Sequence, residues 1–266
     1  ANGVLYQLGV AVGPKDSLAV KFWLQQYERA IPPAMTAANA ASVQTDAATR
    51  AQIRWMHRGN KISWQLRQMY TLEDNHYLDP LADLEELHRF KAVISEVDVQ
   101  GNLSSYIRWQ TVAHHSLYTA QSPAYDSAGL SQHRWALWSA LRFHTARWRG
   151  QLLLRQEVFE GRLVPFTPGI GLECSLLPQT SLYSNASRTY RLPTLNDLYW
   201  QPGGNPNLRP ELGWSLEGGL RQRFRMGEQK MDMSLGYFTQ EVQDWIIWLP
   251  GSAGFWSPEN LLAVAS

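Results

Sequence analysis

From position 50 to position 57 the chain alternates without a break: Ala51, Ile53 and Trp55 fall on one parity, Arg50, Gln52 and Arg54 on the other. After Gly59-Asn60 the pattern resumes, with Ile62, Trp64 and Leu66 opposing Ser63, Gln65 and Arg67. A period of two belongs to a β-strand, and two such runs joined by a Gly-Asn turn predict a hairpin with one apolar and one arginine-rich face. The alternation recurs. Leu18, Val20, Phe22 and Leu24 oppose Lys21 and Gln25, with Trp23 on the polar parity; Leu103, Ile107 and Trp109 oppose Ser104, Arg108 and Gln110. Trp135, Leu137, Leu141 and Phe143 oppose Arg134 and Arg142, and Leu152, Leu154 and Val158 oppose Arg149, Arg155 and Glu157.

The polar parity cannot be a dry core. Arg50, Arg54, Arg67, Arg108, Arg142, Arg149 and Arg155 would each carry a large desolvation cost if buried without a partner. That leaves a sheet whose arginine face meets solvent, or a barrel whose arginines line a wet lumen while the apolar parity faces lipid.

The connections separate these two. Short ones are expected at residues 13–16, 58–60, 100–102, 145–147, 177–179 and 226–229. Long segments lie between them at 29–47, 72–88, 113–129, 160–170, 190–210 and 250–260. Short and long alternate, which gathers every long connection at one end, as in an outer-membrane barrel with short periplasmic turns and long extracellular loops. About twelve strands are predicted, running from residues 4–12 to residues 231–249. Tyr27, Trp55, Trp148, Trp214, Trp245 and Trp248, near strand ends, are expected to form the interfacial girdles.

Composition narrows the function. A formal net charge of +1 argues against nucleic-acid binding driven by bulk electrostatics. The 12 Trp and 11 Tyr beside only 18% charged residues point to apolar surface facing outward. The single Cys174 excludes a disulfide framework within the chain and a multi-cysteine metal site, and is read as an inert strand residue. No run approaches the roughly 18 apolar residues of a membrane helix, and the chain begins without a basic-then-apolar leader.

Residues 187–211 are the densest stretch. Pro193, Pro202, Pro206 and Pro210 remove backbone donors and Gly203-Gly204 permits positive φ, so neither a helix nor a ladder strand is expected there. Tyr190, Leu192, Leu195, Leu198, Tyr199, Trp200 and Leu208 give it too much apolar mass for a solvated linker, so a packed loop with one conformation is predicted.

Two runs within it, Arg191-Leu192-Pro193-Thr194-Leu195-Asn196-Asp197-Leu198-Tyr199-Trp200 and Gly204-Asn205-Pro206-Asn207-Leu208-Arg209-Pro210-Glu211, resemble the barrel signature of TonB-dependent outer-membrane receptors. The resemblance covers about a tenth of the chain. It implies an all-β, antiparallel transmembrane β-barrel in the outer membrane of a Gram-negative cell, with outer-membrane lipid around it. Because such transporters have about 22 strands and a plugged lumen, residues 1–266 are expected to be a partial barrel domain without the plug domain and the C-terminal strands. The implied activity is TonB-coupled uptake of a scarce small-molecule or glycan nutrient, such as a siderophore, haem or a cobalamin, with TonB contacted through the plug.

Within the signature, Pro193, Thr194, Asp197, Leu198, Pro206, Leu208, Pro210 and Glu211 are expected to shape the loop. Arg191, Tyr199, Trp200 and Asn205 are candidate ligand contacts in a vestibule, unless Tyr199 and Trp200 only pack on the rim.

Other features are weaker. His114-His115 is read as lying early in a long loop, and adjacent histidines on a strand would point apart, which argues against joint chelation. The acidic run Glu73, Asp74, Asp79, Asp83, Glu85 and Glu86 lacks the glycine turn of a calcium loop and is read as a solvated, partly helical connection. Pro168-Gly169-Ile170-Gly171 is a turn, not a phosphate cradle. No catalytic motif is present, so no enzyme, cofactor or metal is expected. Two rivals remain on sequence grounds: a soluble carbohydrate-binding or hydrolytic β-sandwich, and a passive porin or outer-membrane enzyme.

Overall fold

The computed structural model describes residues 1–32, 41–125, 129–251 and 254–265. The elements are β1 (Asn2–Ala11), β2 (Asp16–Ala30), β3 (Val43–Arg58), β4 (Ile62–Asp79), β5 (Leu84–Asn102), β6 (Ile107–Gln121), β7 (Leu130–His144), β8 (Trp148–Phe159), β9 (Arg162–Leu163), β10 (Thr167–Leu177), β11 (Thr180–Arg191), α1 (Leu195–Tyr199), β12 (Glu211–Met226), β13 (Gln229–Pro250) and β14 (Trp256–Ala265). Strand order in the sheet follows chain order, with the two-residue β9 paired only to β8. The count among the described residues is fourteen where alternation predicts about twelve; a strand as short as β9 carries no periodicity to read.

Contacts divide the chain into two units. The first comprises Ala1–Val99, Ala113–Trp135 and Phe159–Arg162, and the second Gln100–Val112, Ala136–Val158 and Leu163–Ser266. In the first, the register lays the alternation across neighbouring strands. Val10, Leu18, Trp55 and Leu66 form one row, and Tyr6, Phe22, Ala51 and Tyr70 another, on the same face. Lys21, Gln52 and Met69, and Trp23, Arg50 and Thr71, form rows on the opposite face. In the second unit, Leu154, Leu152 and Trp148 of β8 pair with Pro168, Ile170 and Cys174 of β10, and Leu182, Leu220 and Leu235 continue the apolar face.

The apolar face has no second layer over it. Val4, Ile53, Leu137, Leu182, Leu216 and Leu235 are all exposed, whereas the buried hydrophobics among the described residues are mostly small or confined to strand ends and loops. In water so much exposed apolar surface would drive association; against lipid it is matched. A sandwich would cover this face with a second sheet, and none lies over it among the described residues.

The long segments are mostly strand. β4 and β5 turn at residues 80–83, so the acidic run, Asp83 in the turn excepted, sits on two long strands and not in a helical connection. β6 extends to Gln121, placing His114 and His115 on a strand. The 29–47 segment is strand up to Ala30 and from Val43, and 250–260 is strand from Trp256; their positions 33–40 and 252–253, and positions 126–128 of the 113–129 segment, lie outside the described residues. Strands of 15 to 22 residues exceed the roughly 9–11 needed to cross a bilayer core. The excess carries polar residues on both parities and therefore shows no alternation, yet the ladder still satisfies its backbone groups. One short turn also shifts: β5 runs through Asn102, and the Ser104 hydroxyl accepts from the amides of Tyr106 and Ile107, so Leu103 lies in the turn and not in a strand.

On the polar face three of the arginines meet carboxylates. Arg50 pairs with Glu73 and lies 4.7 Å over the Trp23 ring, Arg67 meets Glu96 at 3.1 Å, and Arg155 pairs with Glu157. Of the girdle candidates, Trp55, Trp148, Trp214 and Trp245 are exposed. Two others are engaged elsewhere: Tyr27 lies opposite Asp46 on the polar parity, and Trp248 of β13 donates its indole N–H to Asp197 of the loop after β11.

Candidate functional site: the latched signature loop

The stretch between β11 and β12 is less irregular than its prolines predict. β11 continues to Arg191, and the helical turn α1 follows Pro193. Thr194 starts it because its hydroxyl accepts from the Asp197 amide at 3.1 Å, while the Thr194 amide donates to the Asp197 carboxylate at 2.8 Å. This reciprocal capping box satisfies donors that a helix start leaves open.

Asp197 does more than cap. Its other carboxylate oxygen accepts from the indole N–H of Trp248 at 2.9 Å, and Arg191 stands 3.6 Å away. Burial pushes the Asp197 carboxyl up, but the Thr194 amide and hydroxyl, the Trp248 indole and the Arg191 charge together outweigh it and hold the group below its ordinary value. The main chain closes the loop a second time, where the Asn205 amide donates to the Asp197 carbonyl at 2.8 Å.

The second half of the signature ties the loop to β13 and β14. Asn205 donates through Nδ2 to the Pro258 carbonyl at 3.2 Å and accepts at Oδ1 from the Asn207 amide at 3.0 Å. Leu208 is buried, and Gly203 sits so close to the Trp256 carbonyl that a Cβ would collide with it. Glu211 pairs with Arg191 and accepts from the Ile246 amide at 2.8 Å. That amide lies beyond the end of the β12–β13 ladder, which stops at the Leu212–Gln243 pair. Asp244, with φ of 55, sits at the break, and Asn260 bridges its carbonyl and that of Arg209 at 2.7 and 3.0 Å.

The sequence-predicted residues thus divide. Thr194, Asp197, Leu208 and Glu211 build the loop. Pro206 is exposed, while Pro193, Leu198 and Pro210 are half-buried. Among the candidate ligand contacts, both ends of the Asn205 amide are engaged within the structure and Tyr199 is half-buried. Arg191 is paired yet keeps a part-exposed guanidinium, and Trp200 is 37% exposed. Trp248, Asp244 and Asn260 complete the latch, and no local pattern in the sequence marks them.

The family described as TonB dependent receptor-like, beta-barrel matches residues 16–265. The chain belongs to the TonB-dependent receptor β-barrel family. Its place is therefore the outer membrane of Gram-negative bacteria, and its family consists of transporters and not enzymes.

This receptor barrel is 32% identical over 96 residues to the vitamin B12 transporter of Vibrio vulnificus, a match covering 36% of the chain and 15% of that protein. In fold it is similar to the siderophore receptor of Pseudomonas aeruginosa, with a TM-score of 0.80 at 14% identity, covering 99% of this chain and 51% of that one. It is also similar to a mutant of the ferric enterobactin receptor of Pseudomonas aeruginosa, solved in complex with enterobactin, with a TM-score of 0.81 at 13% identity and coverage of 99% and 48%. The chain spans about half the length of the receptor structures it matches, so it holds an incomplete barrel.

Proposed function

We propose that these residues are part of a receptor that captures a scarce, bulky nutrient at the long-strand end and imports it with energy delivered through TonB. The plug domain that TonB would contact, and the strands that would close the barrel, are proposed to lie outside residues 1–266. The observation that carries this reading is the family match over nearly the whole chain, on a sheet with one lipid-matched face and one arginine-lined wet face.

The nutrient is a siderophore, haem, a cobalamin or a glycan. Arg191 and Trp200 would meet it at the latched loop, Trp200 by stacking and Arg191 through the exposed part of its guanidinium, with Tyr199 and Asn205 placing them. Ligand sites favour such mixtures of aromatic and polar groups. The test is uptake of labelled candidate nutrients by cells carrying the full-length receptor, with and without TonB. Accumulation that needs both supports the reading; equal accumulation without TonB would make the barrel a passive pore and overturn it.

A further inference from the structure

In the first unit, the apolar outward face ends at the short-turn end in a row that is not apolar. Asp16, His57 and Trp64 lie side by side across β2, β3 and β4, one row beyond Leu18, Trp55 and Leu66. This face points away from the lumen. A plug inside the barrel would leave it open, and further strands would join the sheet at its edges and not over this row. Its four polar and aromatic side chains hold one another. The Asp16 carboxylate accepts at Oδ1 from the Trp55 indole at 3.1 Å and meets His57 Nδ1 at 3.0 Å. His57 stacks on Trp64 with ring centres 5.5 Å apart, and Trp64 meets Trp55 edge-on at 5.4 Å. Oδ2 of Asp16 has no partner among the described residues, so a carboxylate with roughly four acceptor sites keeps room for another donor.

The two adjoining turns add positive charge. Lys15 precedes Asp16, Arg58 follows His57 and Lys61 leads into β4, and all three are exposed. The Arg58 amide donates to the Lys15 carbonyl at 2.7 Å, which joins one turn to the other. Gly59 lets the second turn be tight, because a Cβ there would collide with the Ile62 carbonyl. Other short turns are built differently: Pro178-Gln179 and Gly227-Glu228 carry no lysine or arginine. At the boundary of a lipid-facing surface, therefore, three cations surround one carboxylate set among indole rings.

We propose that the row Asp16, His57 and Trp64, with Lys15, Arg58 and Lys61 at its turns, is a headgroup site for a phospholipid that carries an ethanolamine ammonium next to its phosphate. The lysines and the arginine take the phosphate oxygens. Asp16 accepts from the ammonium at Oδ2, with the 46% exposed Trp55 indole beside it. A headgroup with no cation would leave Asp16 facing a second anion, so the carboxylate is what selects. Short turns of such barrels are periplasmic, so the lipid belongs to the periplasmic leaflet, and the site sets the depth at which β2 to β4 stand in it. The inference rests on the family's place in the outer membrane and not on the uptake reading.

The test is native mass spectrometry of the full-length receptor in detergent, titrated with phosphatidylethanolamine, phosphatidylcholine and phosphatidylglycerol of one chain length. The ethanolamine lipid should be retained at several-fold lower concentration than the other two: choline has lost the N–H donors, and glycerol has no cation. Asp16→Asn should abolish that preference while all three lipids still bind. Lys15→Gln combined with Lys61→Gln should weaken retention of all three by about tenfold, since both remove charge from the phosphate. Arg147→Gln removes charge at a different short turn and should change nothing. Folding of each variant is confirmed by heat-modifiable migration. If Asp16→Asn does not fold, the wild type carries the same test, with the headgroup nitrogen methylated one step at a time and retention falling at each step.

Equal retention of the three headgroups by the wild type, the behaviour of unselective lipid around any barrel, overturns the proposal. So does tighter retention of the glycerol lipid, or a preference that survives Asp16→Asn. Uptake is scored apart from lipid binding: a receptor that imports its nutrient but does not select among headgroups sinks this site alone, and one that selects but needs no TonB sinks only the uptake reading.

Discussion

The indole N–H of Trp248 donates to the Asp197 carboxylate at 2.9 Å across 51 residues of chain, and fastens the signature loop to the neighbouring strand β13. Trp248→Phe keeps the ring and removes the donor. A hydrogen bond to a charged group contributes about 1.5–3 kcal/mol, so the loop should open more often. Amide exchange over residues 194–205, measured on the full-length receptor in detergent, is expected to quicken while exchange in β2 and β3 is unchanged. Unchanged exchange in the loop would show that the bond is not what holds it.

The same carboxylate sets a pH limit. Its folded value lies below the ordinary 3.8, so its contribution is fully present above that value and is lost as pH falls through the depressed one. The loop should therefore stay protected at pH 5 and loosen only below about pH 3.8. Loosening between pH 6 and 5 would assign the transition to another group.

Two glycines should answer in opposite ways. At Gly203 an added Cβ collides with the Trp256 carbonyl, whereas at Gly9 nothing lies within 4 Å. Gly203→Ala is expected to cost about 1–3 kcal/mol, the range of overpacking. Gly9→Ala should be neutral or stabilise by roughly 0.5–1 kcal/mol, by removing backbone freedom within a strand. Urea midpoints of folding into lipid vesicles measure both, and similar values for the two would contradict the loop packing.

The faces can be tested one residue apart. Ile53 is 51% exposed on the apolar face, and Gln52 lies beside Lys21 on the polar one. Ile53→Arg should destabilise the membrane-inserted barrel by about 2–4 kcal/mol if it sits near the midplane. Gln52→Arg adds the same charge to a wet face and should shift the folding midpoint little. Equal costs would mean that the lipid-facing parity has been misassigned.

Much of this was legible beforehand where the signal is local. Ile53 and Trp55 against Gln52 and Arg54 announce a strand and its two faces, because successive side chains must point opposite ways. Thr194 and Asp197 form their capping box within four residues, yet the prolines around them argue against any helix, and α1 emerges only in the structure. The acidic run and His114-His115 carry no such local signal, because strands beyond the bilayer have no apolar face to alternate. In the structure Asp74 is held on β4 by Arg89 at 2.6 Å, and His115 stacks on Trp135 at 4.0 Å, contacts that depend on which strand lies alongside.

What the sequence by itself determined is the repeating unit, an alternating strand with one face for lipid and one for water, together with the signature that assigns the family. Tertiary structure alone decided that Asp197 finds Trp248, that Glu211 caps the Ile246 amide, and that Asp16, His57 and Trp64 share one row. The reason is physical: periodicity is written into neighbouring residues, whereas the partner of a polar group is set by strand register, which joins residues far apart in the chain.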